Sequence, residues 1–204
     1  MSTGARRLII VTDRKLCSDH FLSRIRQLAR EAGPRAILLR EKDMEDREYE
    51  VLARQVNSIC LDCKVDFIVN HKLEVALGLK LPYLHLSMSE LRQHRDRLSL
   101  FRCTGASVHS LEEALEAQSL GAGYLIAGHV FPTQCKKDMA PRGLDFLREV
   151  CGAVNIPVYA IGGITVDRGK LVLEAGADGV CVMNEAMTCS QPRNLSAFSH
   201  IPGI

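Results

Sequence analysis

Short runs of Val, Ile, Leu and Tyr alternate along this chain with longer stretches in which apolar positions recur every three or four residues. The first kind reads as strands buried on both faces, the second as amphipathic helices. Strands are predicted over residues 8–12, 36–40, 66–70, 83–86, 104–108, 124–129, 158–161 and 179–183. Helices fit between them over 16–32, 46–61, 71–79, 89–98, 111–119, 144–151 and 166–175, with a last one over 194–199. Strict alternation builds parallel β-α units. Eight evenly spaced units give an α/β chain folded as a single (β/α)8 TIM barrel over residues 1–204, with a doubly wound open sheet as the alternative. Residues 1–6 are expected to be a flexible N-terminus, and 188–204 an irregular C-terminal segment. Glycine stands where helices end in a left-handed residue, at Gly33, Gly121 and Gly176. Ser110 followed by Glu113 reads as a capping box.

With 204 residues, 47% of them hydrophobic and 25% charged, the chain can bury a sizeable core without staples. Its 26 basic and 24 acidic residues form no basic block, so no nucleic-acid partner is expected. No apolar run approaches the ~20 residues of a membrane span or forms a signal-peptide core, so a cytoplasmic protein with no membrane partner is expected. Eight cysteines without an export signal read as reduced thiols. Cys60-x-x-Cys63 sits late in a helical pattern and lacks a second pair at ligand spacing, which argues against zinc.

Chemistry in such barrels sits where strands end and loops begin. Small and polar residues collect at those ends: Asp13, Arg40, Lys42, Asn70, His71, Ser87, Ser89, Ser107, His109, His129, Thr133, Gly162, Gly163, Met183 and Asn184. Strand alternation puts Arg40 and Lys42 on one face, suited to an anionic group, and Glu41 on the other; a local salt bridge to Asp13 competes with that reading. Gly162 and Gly163 open a helix near Thr165. Free N–H groups there, with more after the last strand at Met183 and Asn184, suit a phosphate; a tight turn that simply needs glycine is the alternative. His129 ends the sixth strand and can move a proton near neutral pH, whereas His85 and His109 read as structural. His71 stands at a helix start as an acceptor for backbone N–H. Cys135 reads as a wall residue before a nucleophile, and Lys136 as a loop cation or a solvated lysine. A diphosphate site normally holds Mg²⁺ on carboxylates. The third and fourth strand ends carry only Glu90 as an acid.

The ordered set Val11-Thr12-Asp13, Leu39-Arg40-Glu41-Lys42, Val69-Asn70, Ser107-Val108-His109-Ser110, Gly128-His129-Val130-Phe131-Pro132-Thr133, Ile161-Gly162-Gly163-Ile164 and Ala175-Gly176-Ala177-Asp178-Gly179-Val180 resembles the thiamine phosphate synthase and TenI superfamily over nearly the whole chain. By that resemblance, synthases join a pyrimidine diphosphate to a thiazole phosphate with Mg²⁺. They carry Asn-Asp after the third strand and an acid after the fourth, where this chain has His71 and Ser89. They usually read Gly-Pro-Val-Phe, where this chain reads Gly-His-Val-Phe. Gly128-His129-Val130-Phe131, Cys135-Lys136-Lys137 and Arg142-Gly143 are similar to the TenI branch of thiazole tautomerases. That likeness implies an isomerase that aromatises a carboxylated dihydrothiazole phosphate by a proton shift, with no metal and no cofactor. It implies His129 as the catalytic acid/base and Arg40 and Lys42 on the carboxylate. Asn70, Ser107, Thr133, Cys135 and Lys136 would surround the substrate, and Gly162, Gly163, Met183 and Asn184 would hold the phosphate. A divergent synthase and a non-catalytic thiazole or thiamine phosphate-binding protein are the alternatives. Related barrels imply a homo-oligomer, with a dimer favoured.

Overall fold

The computed structural model describes residues 7–18, 20–133 and 139–200; the expected flexible stretch 1–6 and the candidates Cys135 and Lys136 lie outside the described residues. Eight parallel strands close into a barrel in chain order, so the open-sheet alternative does not hold and the fold is the (β/α)8 TIM barrel. The strands are β1 (Leu8–Val11), β2 (Ala36–Leu39), β3 (Asp66–Asn70), β4 (Tyr83–Ser87), β5 (Cys103–Val108), β6 (Tyr124–Gly128), β7 (Val158–Ile161) and β8 (Gly179–Val182). The helices are α1 (Phe21–Gln27), α2 (Asp46–Cys63), α3 (Leu73–Gly78), α4 (Met88–Gln93), α5 (Leu111–Ser119), α6 (Gly143–Ala153), α7 (Val166–Glu174) and α8 (Asn184–Thr188).

Several boundaries differ from the periodicity, each for a local reason. The first helix starts at Phe21 because Asp13 caps a separate 3-10 turn, Arg14–Leu16, by accepting from the Lys15 N–H at 3.1 Å. The third starts at Leu73 because His71 sits at φ +64, outside the helical region. The fourth is short because Ser87 and Glu90 form a complete capping box one residue earlier than expected, and the chain tightens into a 3-10 helix at Arg95–Leu100. The helix expected over 194–199 is a 3-10 helix, Pro192–His200. At Ser110 only half of the expected box forms. Its hydroxyl accepts from the Glu113 N–H at 3.2 Å, while the Glu113 carboxylate reaches the His109 N–H at 2.6 Å instead of that of Ser110.

By contacts the chain divides into two compact units, one ending at Leu84 and resuming over Val182–His200, the other His85–Cys181. In the first unit β1 and β2 are buried at every position, which is why they read as continuous apolar runs. α2 buries Tyr49, Ala53, Val56, Ile59 and Cys60 at helical spacing. Arg24 on α1 donates to the Cys189 carbonyl at 2.8 Å, and the C-terminal 3-10 helix buries Leu195 and Phe198. In the second unit, β5, β6 and β7 pair in parallel register, Gly105 opposite Tyr124 and Ala127 opposite Ala160. Asp178 ties the start of β7 by accepting from the Val158 N–H at 2.9 Å.

Tyr49 joins α2 to two strand ends of the first unit. Its buried hydroxyl donates to the Leu39 carbonyl at 2.6 Å and accepts from the Asn70 N–H at 3.2 Å. Tyr49→Phe removes one hydrogen bond from each of these backbone groups. It is expected to cost about 2–3 kcal/mol, read as a lower urea midpoint at unchanged slope.

Candidate active site

The first unit holds the candidate cations. β2 ends at Leu39, so alternation does not carry through to Lys42: Arg40 is half-buried, Glu41 is buried, and Lys42 lies exposed in the turn that follows. The competing salt bridge to Asp13 does not form with Arg40, because Asp13 caps the Arg14–Leu16 turn. Among the described residues Arg40 has no carboxylate partner; its guanidinium donates only to the Met183 thioether, at 3.9 Å. The neighbouring acids are committed elsewhere. Glu41 accepts from the Thr12 hydroxyl at 2.7 Å and from Arg14, and Asp43 accepts from Arg14 at 2.6 and 2.8 Å. The Arg14 guanidinium and the Lys15 ammonium hold the Asp43 carboxyl well below the usual range. Asn70 is buried, 5% exposed, at the end of β3. Met183 caps the five-residue α8 and stands beside Arg40, while Asn184 is exposed.

The second unit holds the candidate histidine and the glycine pair. His129 is 3% exposed, and its Nε2 lies 3.1 Å from the Met139 carbonyl. A carbonyl can only accept, so Nε2 donates in this bond. Among the described residues, the buried Nδ1 has no hydrogen-bond partner. Gly162 and Gly163 have φ of +101° and +64°. A Cβ on Gly162 would stand 2.4 Å from the His129 Cβ, and one on Gly163 would stand 2.4 Å from the Pro132 carbonyl oxygen. The pair is therefore required by the close pass of the 129–132 segment, held by the Phe131 N–H donating to the Gly162 carbonyl at 3.0 Å. Arg168 on α7 clamps the same turn, donating to the Gly163 carbonyl at 2.8 Å and stacking 5.0 Å above the Phe131 ring.

Ser107, half-buried at the end of β5, lies 2.8 Å from His85 Nε2, and His85 Nδ1 lies 3.1 Å from the Tyr124 hydroxyl. Burial pushes the Tyr124 phenol well above its ordinary value, so it stays protonated and able to donate. His109 Nδ1 is bonded to the Gly128 carbonyl. Sequence reasoning did not anticipate the His85–Tyr124 bond, the His109–Gly128 bond or the commitment of Glu41 to Arg14. One usable signal was Gly105, which leaves room for the Tyr124 ring: a Cβ there would stand 2.1 Å from it. Cys60 of the Cys-x-x-Cys pair is buried, which pushes its thiol up to about 12 and makes it unreactive.

Mg²⁺ at a phosphate site is held by one or two carboxylates together with the phosphates of its ligand, and after β3 and β4 the acid at hand is Glu90. His71 follows β3, and Ser89 lies in the first turn of α4. One oxygen of Glu90, Oε2, accepts from the Ser87 N–H at 2.9 Å and the Ser87 hydroxyl at 2.7 Å. Among the described residues no group of three or more His, Cys, Asp or Glu side chains could hold a metal. Among them, too, no helix is long and apolar enough to cross a membrane.

Comparison with known proteins sets this geometry in a family. The profile described as thiamine monophosphate synthase matches residues 8–186. A thiamine-phosphate synthase of Pyrococcus abyssi is 38% identical over 185 residues, covering 90% of this chain and 88% of the relative. One from Coprothermobacter proteolyticus is 36% identical over 184 residues, covering 89% and 87%. The structure of a thiamine phosphate pyrophosphorylase from Pyrococcus furiosus superposes with a TM-score of 0.86 at 33% identity, covering 97% of this chain and 96% of that one. These names correct the expectation of a thiazole tautomerase. That expectation rested on short stretches around His129, Cys135 and Arg142 and on His71 and Ser89 standing in place of acids, whereas the similarity to synthases runs along the whole barrel. The chain belongs to the thiamine monophosphate synthase family.

Proposed function

We propose that this protein is a thiamine phosphate synthase, a transferase that joins a pyrimidine diphosphate to a thiazole phosphate. The observation that carries the reading is 38% identity to a named synthase over 90% of the chain. In the reaction, a thiazole ring nitrogen forms a bond to the pyrimidine methylene carbon. The carbon–oxygen bond breaks, and its electron pair leaves with inorganic diphosphate. Negative charge thus gathers on the leaving group, and a preorganised cation is the group that stabilises it. In the first unit the guanidinium of Arg40, which has no carboxylate partner among the described residues, suits that role, with Lys42 as a second cation and Asn70, Met183 and Asn184 as further contacts for an anionic ligand. In the second unit Ser107, oriented by His85, suits a polar contact to a heterocycle. Thr133, Cys135 and Lys136 belong to the same proposal as substrate contacts, and Gly162 and Gly163 as N–H donors to a phosphate. His129 moves no proton in this displacement. Its Nε2–H holds the Met139 carbonyl.

The test supplies both substrates to the purified chain, with and without added Mg²⁺, and follows products by mass spectrometry. Thiamine phosphate and diphosphate are expected in equal amounts. Binding of both substrates with no turnover under either condition would reject the transferase. It would favour the non-catalytic thiazole phosphate-binding protein, which the donor set at His71 and Ser89 supports.

A further inference from the structure

We propose that Arg14 is a positioning residue for anion binding: it keeps two carboxylates off Arg40 and so leaves that guanidinium free for a ligand. The inference rests on the reading that Arg40 meets an anionic substrate. Glu41 and Asp43 lie one and three residues after Arg40, close enough in sequence to neutralise it. Neither does. The Glu41 side chain is 1% exposed and accepts four hydrogen bonds: from the Thr12 hydroxyl at 2.7 Å, from the Arg14 backbone N–H at 3.1 Å to each oxygen, and from the Arg14 guanidinium at 3.2 Å. The same guanidinium makes two parallel bonds to Asp43, at 2.6 and 2.8 Å, and the Lys15 ammonium adds a third contact at 3.0 Å. Two carboxylates thus face two cations, and the set is neutral. Thr12 links it to Arg40: its hydroxyl donates to Glu41 and accepts from the Arg40 N–H at 3.0 Å.

Removing the Arg14 side chain leaves a buried carboxylate without its cation, one residue from Arg40 and joined through Thr12 to the Arg40 backbone, where its charge can attract Arg40 and repel an anion. The probe is inorganic diphosphate, titrated calorimetrically into the full chain, with thermal melts to confirm folding. Arg14→Met is expected to raise the Kd about tenfold or more. Arg14→Lys, which keeps the charge, is expected to recover part of the loss. The Arg14→Met/Glu41→Gln double variant is expected to return the Kd to within about threefold of the wild-type value, because the offending charge is gone. A purely structural role predicts the opposite, a double variant at least as weak as the single one. The proposal is overturned by an unchanged Kd in Arg14→Met, by no recovery in the double variant, or by a wild-type chain that binds no diphosphate. Should Arg14→Met fail to fold, Glu41→Gln decides: binding as tight as wild type or tighter supports the proposal, weaker binding rejects it. A chain that forms no thiamine phosphate yet shows this pattern rejects the transferase reading and leaves the role of Arg14 standing.

Discussion

Arg40→Met is expected to raise the KM for the pyrimidine diphosphate about 100-fold while leaving the melting temperature within about 2 °C of wild type. The two halves of that result have one cause. Among the described residues Arg40 makes no ion pair, and its side chain has only a thioether to donate to. Losing it removes little that holds the fold, and it relieves the cost of a half-buried, unpaired cation. A hydrogen bond to a charged group contributes about 1.5–3 kcal/mol, so two bonds from one guanidinium to phosphate oxygens account for roughly a factor of 10². Arg40→Lys should recover only part of it, since an ammonium cannot reproduce the two-pronged geometry. Steady-state kinetics with the diphosphate varied decide the matter. An unchanged KM would remove Arg40 from the site, and a large fall in melting temperature would show that its role is structural.

Gly162→Ala is expected to destabilise the fold by about 2–5 kcal/mol, a fall in melting temperature of roughly 10 °C, with no ligand present. The new methyl would stand 2.4 Å from the His129 Cβ and 2.7 Å from its Cα, and the backbone would remain at φ +101°. Overpacking costs about 1–3 kcal/mol and a positive φ about 1–2 kcal/mol for a residue with a side chain. No rotamer relieves the clash, because the atoms met are main chain and Cβ. Gly121→Ala is the control: φ is +93° there, but nothing lies within 4 Å of the added methyl. It should cost about 1 kcal/mol. Equal melting temperatures for the two variants would contradict the packing account of Gly162. The pair would then owe its glycines to a ligand alone.

The repetition of β-α units was legible because strand and helix periods are local properties of the chain. Arg40, Asn70, Ser107 and Met183 were legible as candidates for a similar reason: a polar residue at the end of an apolar run marks a strand end. The direction of each side chain was less so. Alternation assigned Arg40 and Lys42 to one face, yet β2 stops at Leu39 and the turn after it sets Lys42 apart. His71 falls out of its helix through a left-handed backbone that no periodicity displays. The chemistry was misread where a short motif was weighed above the whole chain. The residues around His129 suggested a proton-shifting isomerase, while 185 aligned residues point to synthases.

By itself, then, the sequence determined the eight units, the strand-end candidates and the superfamily, since each is written in spacing or in contiguous residues. Only the tertiary structure decided which charges are free. Glu41 adjoins Arg40 in sequence but pairs with Arg14, 27 residues away. The Gly162 turn is shaped by His129, which the sequence places a whole β-α unit earlier. Ion pairs and close backbone passes join distant segments, and a linear pattern has no term for the distance between two side chains until the chain has folded.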